Sequence, residues 1–148
     1  MKKLRLIAVL IAVTLGAAGL FTGCLPPDPK GGGTITIFIG EESYPVTTKK
    51  DYIGQVLDEM KANGEITFTF SGVASDQYGR MLLSLNTLNP QSDEYIAFYS
   101  DVDDDRYSFK EAYVDLNGVI YYFANYGIDQ IPVFDGAKYL FRVEVAAW

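Results

Sequence analysis

The sequence predicts an α+β domain in which one amphipathic helix packs against a single mixed β-sheet. Three observations carry this. Apolar and polar residues alternate with period two in most segments between Thr34 and Val145. Only Ile53, Val56, Leu57 and Met60 follow a helical period, at i, i+3, i+4 and i+7. Turn-forming residues, Asn117-Gly118 above all, separate the alternating segments.

Taken in order, Thr34 to Ile39 sets Ile35, Ile37 and Ile39 on one face of a strand. Gly40 to Ser43 reads as a turn, and Tyr44 to Thr47 as the returning strand. Thr48 and Asp51 have capping-box spacing ahead of the helix, and Asn63-Gly64 stops it. Ile66, Phe68 and Phe70 then alternate with Thr67 and Thr69. Met81 to Leu85 and Tyr95 to Ser100 read as further strands. Asn117-Gly118 predicts a tight hairpin that pairs Leu116 with Val119, Val114 with Tyr121 and Ala112 with Phe123, all on one face. After Gly136 comes a last strand, Tyr139 to Val145, with Phe141 and Val143 on one side. One amphipathic helix cannot cover both faces of a sheet, so it is expected across one curved mixed sheet, a β-grasp-like arrangement. The first and last strands, short and apolar, are the expected central neighbours. No internal repeat is evident.

The N-terminus has a different character. Lys2, Lys3 and Arg5 precede an apolar run from Leu6 to Phe21. That run is short for a transmembrane span and reads as a cleaved secretory signal. Phe21-Thr22-Gly23-Cys24 follows, and it resembles the lipobox of bacterial lipoproteins, in which the cysteine is lipidated and becomes the new N-terminus. The resemblance implies a signal peptide over 1–23, lipidation at Cys24, and a bacterial cell-membrane protein anchored by lipid on the extracytoplasmic face. An uncleaved anchor and a simple secretory signal are the other readings. Leu25-Pro26-Pro27-Asp28-Pro29-Lys30-Gly31-Gly32-Gly33 reads as a tether, stiffened by proline and then loosened by glycine. Residues 34–148 are of a size for one domain.

Composition narrows the function. Loss of Lys2, Lys3 and Arg5 with the signal turns twelve basic residues into nine, against 19 acidic ones, for a net charge of −10. Such a surface argues against nucleic acid as a partner, because phosphate must be neutralised by cations. It argues equally against electrostatic docking to anionic lipid, which leaves the membrane link covalent. Cys24 is the only cysteine, so no internal disulfide forms.

One further resemblance runs along the chain. Thr34-Ile35-Thr36-Ile37 precedes the helix segment Tyr52 to Met60. Tyr78-Gly79-Arg80-Met81-Leu82-Leu83-Ser84-Leu85-Asn86 joins a glycine, a strand and an Asn turn. Tyr95-Ile96-Ala97-Phe98-Tyr99-Ser100-Asp101 is an aromatic strand. Gly127-Ile128-Asp129-Gln130-Ile131-Pro132-Val133 and Asp135-Gly136-Ala137-Lys138-Tyr139-Leu140-Phe141 close the domain. In this order the motifs resemble the transcobalamin C-terminal-like domain family, a domain of unknown function found in bacterial surface lipoproteins. The match covers nearly all of residues 34 to 145. The resemblance implies a small β-domain similar to the lid of cobalamin carriers, with cobalamin as the one cofactor to test.

The residues themselves point away from catalysis. The chain has no histidine, which excludes a Ser-His-Asp triad and imidazole metal ligation. With Cys24 taken by lipid no thiol nucleophile remains. Glu41-Glu42 and other acids offer carboxylates, but no spacing selects a hydrolytic pair. Asp101, Asp103 and Asp105 have the i, i+2, i+4 spacing of a calcium loop. Arg106 then stands where the loop needs glycine, and Ala112 where it needs a carboxylate, so a solvated acidic turn is the favoured reading. The chain is rich in tyrosine, with 11. Tyr78, Tyr95, Tyr99, Tyr122 and Tyr126 are the candidate ligand-binding residues, because a phenol gives a flat apolar body with a polar tip. Strand core is their ordinary alternative role. Tyr95 and Tyr99 alternate with Ile96 and Phe98, so one of the two pairs is expected to face outward. The expected function is a non-enzymatic small-molecule-binding module, corrinoid-related by resemblance. The alternative is a structural or adhesion module that holds an envelope protein or polymer through a sheet edge.

Overall fold

The computed structural model describes residues 31–146. The signal peptide, Cys24 and most of the tether lie outside these residues. Among them, no helix is long and apolar enough to cross a membrane. Eight strands and one helix of the described residues follow in the order β1 (Gly33–Ile39), β2 (Glu42–Thr48), α1 (Ile53–Ala62), β3 (Phe68–Ser71), β4 (Met81–Leu85), β5 (Glu94–Ser100), β6 (Ser108–Leu116), β7 (Val119–Ala124) and β8 (Lys138–Val145). Six of the strands form one mixed sheet in the order β2-β1-β8-β5-β7-β6, and β3 pairs with β4 separately. The fold is thus α+β, mostly sheet with one short helix.

As expected, the first and last strands are neighbours. β1 runs parallel to β8 from Thr36–Lys138 to Ile39–Phe141 and antiparallel to β2. β5 pairs with β8 along its whole length, from Glu94–Val145 to Ser100–Tyr139. Its other side meets β7 only at Tyr99 and Ser100. Among the described strands, none pairs with that side of Glu94 to Phe98.

The main core lies between the sheet and α1. Ile35, Ile37 and Ile39 meet Ile53, Val56, Leu57 and Met60, together with Tyr139 and Phe141 from β8. The alternation and the helical spacing each deliver the face the sequence assigns them. Asn63 caps the helix C-terminus, and Gly64 follows at φ 75°, a conformation glycine adopts without strain. The helix start differs from expectation. Thr48 does not cap it; its hydroxyl accepts the Lys50 amide instead. The Gln55 carboxamide oxygen accepts the amides of Asp51 and Tyr52. The first-turn amides of Ile53 and Gly54, which have no partner within the helix, donate to the carbonyls of Ile131 and Ile128, so the β7–β8 connection completes the helix end.

A second, smaller core covers the opposite face. The β6–β7 hairpin turns at Asn117 and Gly118, both at positive φ, as predicted. Beyond the short pairing with β5 it packs across the back of the sheet. Tyr121, Val119 and Val114 meet Ala97, Tyr99, Leu140 and Phe38 there, and the Phe38 and Tyr121 rings sit edge to face. Leu116–Val119 and Val114–Tyr121 pair as predicted, but Ala112 does not face Phe123. The ladder shifts between Phe109 and Tyr113, so Phe123 pairs with Phe109 and the strand bulges at 110–112. A smaller shift at Thr69–Phe70 has a similar effect in β3. Phe68 is buried there, whereas Phe70 turns outward at 42% exposure.

Candidate functional site

β4 lies beside the open edge of β5 without pairing to it, and a groove forms between them. Its walls are Met81 and Leu82 from β4, Tyr95, Ile96 and Phe98 from β5, and Phe123 and Ala124 from β7. Tyr78 and Gly79 close one end, and Tyr126, Gly127 and Ile128 close the side beyond β7. The groove is open to solvent, its volume is about 270 Å³, and its surface is mostly apolar. Two larger depressions, of about 580 and 730 Å³, lie beside Lys49, Lys50 and the C-terminal half of α1. Neither is lined by an aromatic ring, and both are chiefly polar. The groove at β5 therefore has the chemistry of a ligand site: apolar walls with a few placed polar tips.

Three of the five candidate tyrosines meet in the groove. Tyr78, Tyr95 and Tyr126 line it and are 70%, 37% and 38% exposed. Tyr99 and Tyr122 do not line it. Tyr99 is 6% exposed, in the second core against Phe123 and Tyr121, with its hydroxyl donating to Glu144 at 3.3 Å. Burial, then the charge of Glu144, pushes its phenol up to about 12. The expectation that one of the two alternating pairs faces outward thus holds at Tyr95 alone and fails at Tyr99. Alternation is correct, but the hairpin folds over half of that face. Tyr122 sits in the β6–β7 ladder opposite Tyr113.

One ion-pair cluster fixes the floor of the groove. Arg80 is held by Asp129 through Nε and Nη2, the latter at 2.7 Å, and by Asp58 through Nη1 at 2.7 Å and Nη2 at 3.0 Å. The Arg80 backbone amide also donates to Asp129, at 2.7 Å. The hydrogen bonds of Asp129, then of Asp58, hold the guanidinium charged well above its usual range. The side chains of Arg80 and Asp129 are 9% and 5% exposed. The Arg80 guanidinium also lies 4.9 Å from the centre of the Phe70 ring, on the side chain that the β3 shift turned outward.

Glycines make this cluster compact. A Cβ on Gly54 would meet Asp129 Oδ1 at 2.1 Å, and one on Gly127 would meet the Tyr78 carbonyl at 2.1 Å. Gln130 Nε2 donates to the carbonyls of Asp76 and Gln77, which ties the loop carrying Tyr78 to the one carrying Tyr126. Sequence reasoning picked the tyrosines but missed Arg80 and Asp129. The available signal was the repeated grouping of glycine with a charge, in Gly79-Arg80 and Gly127-Ile128-Asp129.

The acidic turn arranges its carboxylates differently from a calcium loop. Asp101 Oδ1 accepts the Lys138 amide at 2.8 Å and so helps to join β5 to β8. Lys110 Nζ bridges Asp103 and Asp105, filling the position that a cation would take between them. Among the described residues, no group of three or more Asp, Glu, His or Cys is placed to hold a metal ion. Glu41 and Glu42 are exposed at the β1–β2 turn, where Glu42 accepts the Tyr44 hydroxyl.

No family model matches the chain, and no curated protein matches it. Among solved structures, it resembles the crystal structure of a protein from Ruminococcus gnavus named as a candidate metal-binding protein. The two are 15% identical with a TM-score of 0.49, over 80% of this chain and 100% of that one. Metal binding is a description of that protein alone.

Proposed function

We propose that this protein is a lipid-anchored extracytoplasmic binding module, non-enzymatic, whose ligand site is the groove between β4, β5 and the β7–β8 connection. The observation that carries the reading is the convergence of Tyr78, Tyr95 and Tyr126 on one apolar cavity backed by a rigid ion pair. Three separate segments supply those rings, so their meeting is a property of the fold. Helix α1 packed on one face of the mixed sheet supports the β-grasp-like reading, and the order of motifs supports a transcobalamin C-terminal-like domain. On that reading a corrinoid edge is one candidate ligand, with the cavity of about 270 Å³ taking part of the macrocycle.

The first described residues lie beside Asp51, at the end of the sheet where β1 and β8 start. Tyr95 lies at the opposite end, level with Glu144.

NMR titration of the full-length chain with cyanocobalamin and with N-acetylglucosamine tests the proposal. Saturable shifts confined to the amides of 79–82, 95–98 and 126–128 support it. Shifts centred on the depression beside Lys49 and Lys50 count against it. A second reading draws on the unpaired side of Glu94 to Phe98, to which a partner's extended segment would add as a strand. Exchange protection of those amides on adding envelope extract, without change at Tyr126 to Ile128, would favour it.

A further inference from the structure

Backbone bonding along β5 shows what the groove offers besides apolar walls. The Asp101 amide donates to the Lys138 carbonyl at one end of the β5–β8 ladder, and the Ala146 amide to the Asp93 carbonyl at the other. Both bonds belong to the register that pairs Tyr95 with Glu144 and Ala97 with Arg142. Alternate residues of an antiparallel strand bond to the same neighbour, so Tyr95, Ala97 and Tyr99 turn their amides and carbonyls to β8. Glu94, Ile96 and Phe98 turn theirs the other way, toward the groove that Ile96 and Phe98 line. There β7 pairs only with Tyr99 and Ser100, and the Glu94 amide returns to the Gln91 carbonyl. Among the described residues, the Ile96 amide and carbonyl and the Phe98 amide have no partner. A sheltered backbone group without a partner costs free energy that a hydrogen bond recovers. The outer edges of the sheet are interrupted, β2 by Pro45 and β6 by its bulge at 110–112. The open stretch of β5 has neither device.

We propose that the groove binds an extended polypeptide segment of a partner protein, added as a strand on Ile96 and Phe98. The inference rests on the groove being the binding site and names the peptide backbone as what it recognises. Arg80, the one charged side chain in the lining, is held by Asp129 and Asp58, so polar recognition falls to the backbone groups of β5. The edge is recessed beside Met81 and Leu82 of β4, and Phe98 is 8% exposed. A single extended segment reaches such an edge, whereas the β5 edge of a second copy, recessed in the same way, does not. The residue opposite Ile96 shares its face of the sheet, where Leu82, Phe98 and Ile128 form the margin of the main core. The segment therefore carries an aliphatic residue at that position, with its neighbours on the face of Tyr95 and Ala97.

The test is NMR titration of the full-length chain in non-ionic detergent with the neutral peptide acetyl-Thr-Val-Thr-Val-Thr-amide. The expected result is saturable shifts at 94–98, with hydrogen exchange slowed at the Ile96 and Phe98 amides and unchanged at Tyr95 and Ala97. N-methylation of both valines removes the amides that face β5 and should weaken binding about tenfold. N-methylation of the central threonine, whose amide points away from β5, should leave affinity nearly unchanged. Equal weakening by the two methylations overturns the inference, because the peptide is then not held as a strand. Absence of saturable peptide binding also overturns it. Cyanocobalamin or N-acetylglucosamine shifting 79–82, 95–98 and 126–128 in that case would leave the groove standing as a small-molecule site.

Discussion

Arg80 is the residue on which the groove depends most. It joins β4 to α1 through Asp58 and to the β7–β8 connection through Asp129. Removing one partner from a buried pair leaves the other charged and desolvated, so Arg80→Met should cost about 3–5 kcal/mol of unfolding free energy, read from urea denaturation. An Asp129→Asn change should be milder in charge but lose the paired geometry, and the Arg80→Met, Asp129→Asn double variant should recover part of the loss. Tyr99 gives a separate prediction at this scale. A phenol normally ionises near 10, and in the fold it is pushed up to about 12. The folded state therefore holds the proton more tightly than the unfolded state. The stability from Tyr99 is complete below about pH 10 and is lost as pH rises toward about 12. Buried Tyr139, whose hydroxyl donates to the Pro132 carbonyl, is shifted the same way by burial and adds to the effect. Urea midpoints should fall steeply across that range, and Tyr99→Phe should flatten the fall.

At the scale of elements, α1 is held by packing more than by propensity, since ten residues make a marginal helix alone. Leu57 is fully buried against the sheet, and Leu57→Ala should cost about 2–5 kcal/mol by opening a cavity. In the β6–β7 turn, Gly118 lies at φ 79° with open space around it, so Gly118→Ala should cost about 1 kcal/mol through backbone strain alone. Thermal unfolding of the two variants would rank them in that order. The elements were legible because their signals are local. Ile53, Val56, Leu57 and Met60 declare one helical face, and Met81 to Leu85 is bounded in the structure as the alternation bounds it. What eluded sequence reading was non-local. The shift in β6 at Phe109–Tyr113 leaves no period to detect. The helix is capped by carbonyls of Ile128 and Ile131, more than 70 positions further along the chain. Tyr99 and Tyr95 have equivalent patterns, and only the hairpin folding over the back of the sheet buries one and leaves the other open.

For the whole molecule, the incomplete pairing of β5 makes the groove. A hairpin that turned away from β5 after two residues leaves an open edge, and β4 approaches that edge without sealing it. The tyrosines that border the gap come from three segments, and Arg80 and Asp129 keep two of those segments in register. Three of the five tyrosines chosen from sequence line the groove, because exposed rings near strand ends are where a sheet presents them. It had no means of choosing between positions whose exposure is set by another element. The function proposed here needs the scaffold to be stable without ligand, so Tyr95 and Tyr126, each partly exposed, should be replaceable at little cost to folding.

The most direct measurement is thermal unfolding of the full-length chain and its Tyr95→Ala, Tyr126→Ala double variant against cyanocobalamin, N-acetylglucosamine and calcium. A compound at ~100 times its dissociation constant should add about 2.7 kcal/mol to the wild-type chain. The account predicts such a gain for one organic class, and its loss in the double variant with ligand-free stability nearly unchanged. A gain that survives removal of both tyrosines, or one given by calcium alone, would contradict the assignment of the groove as the binding site.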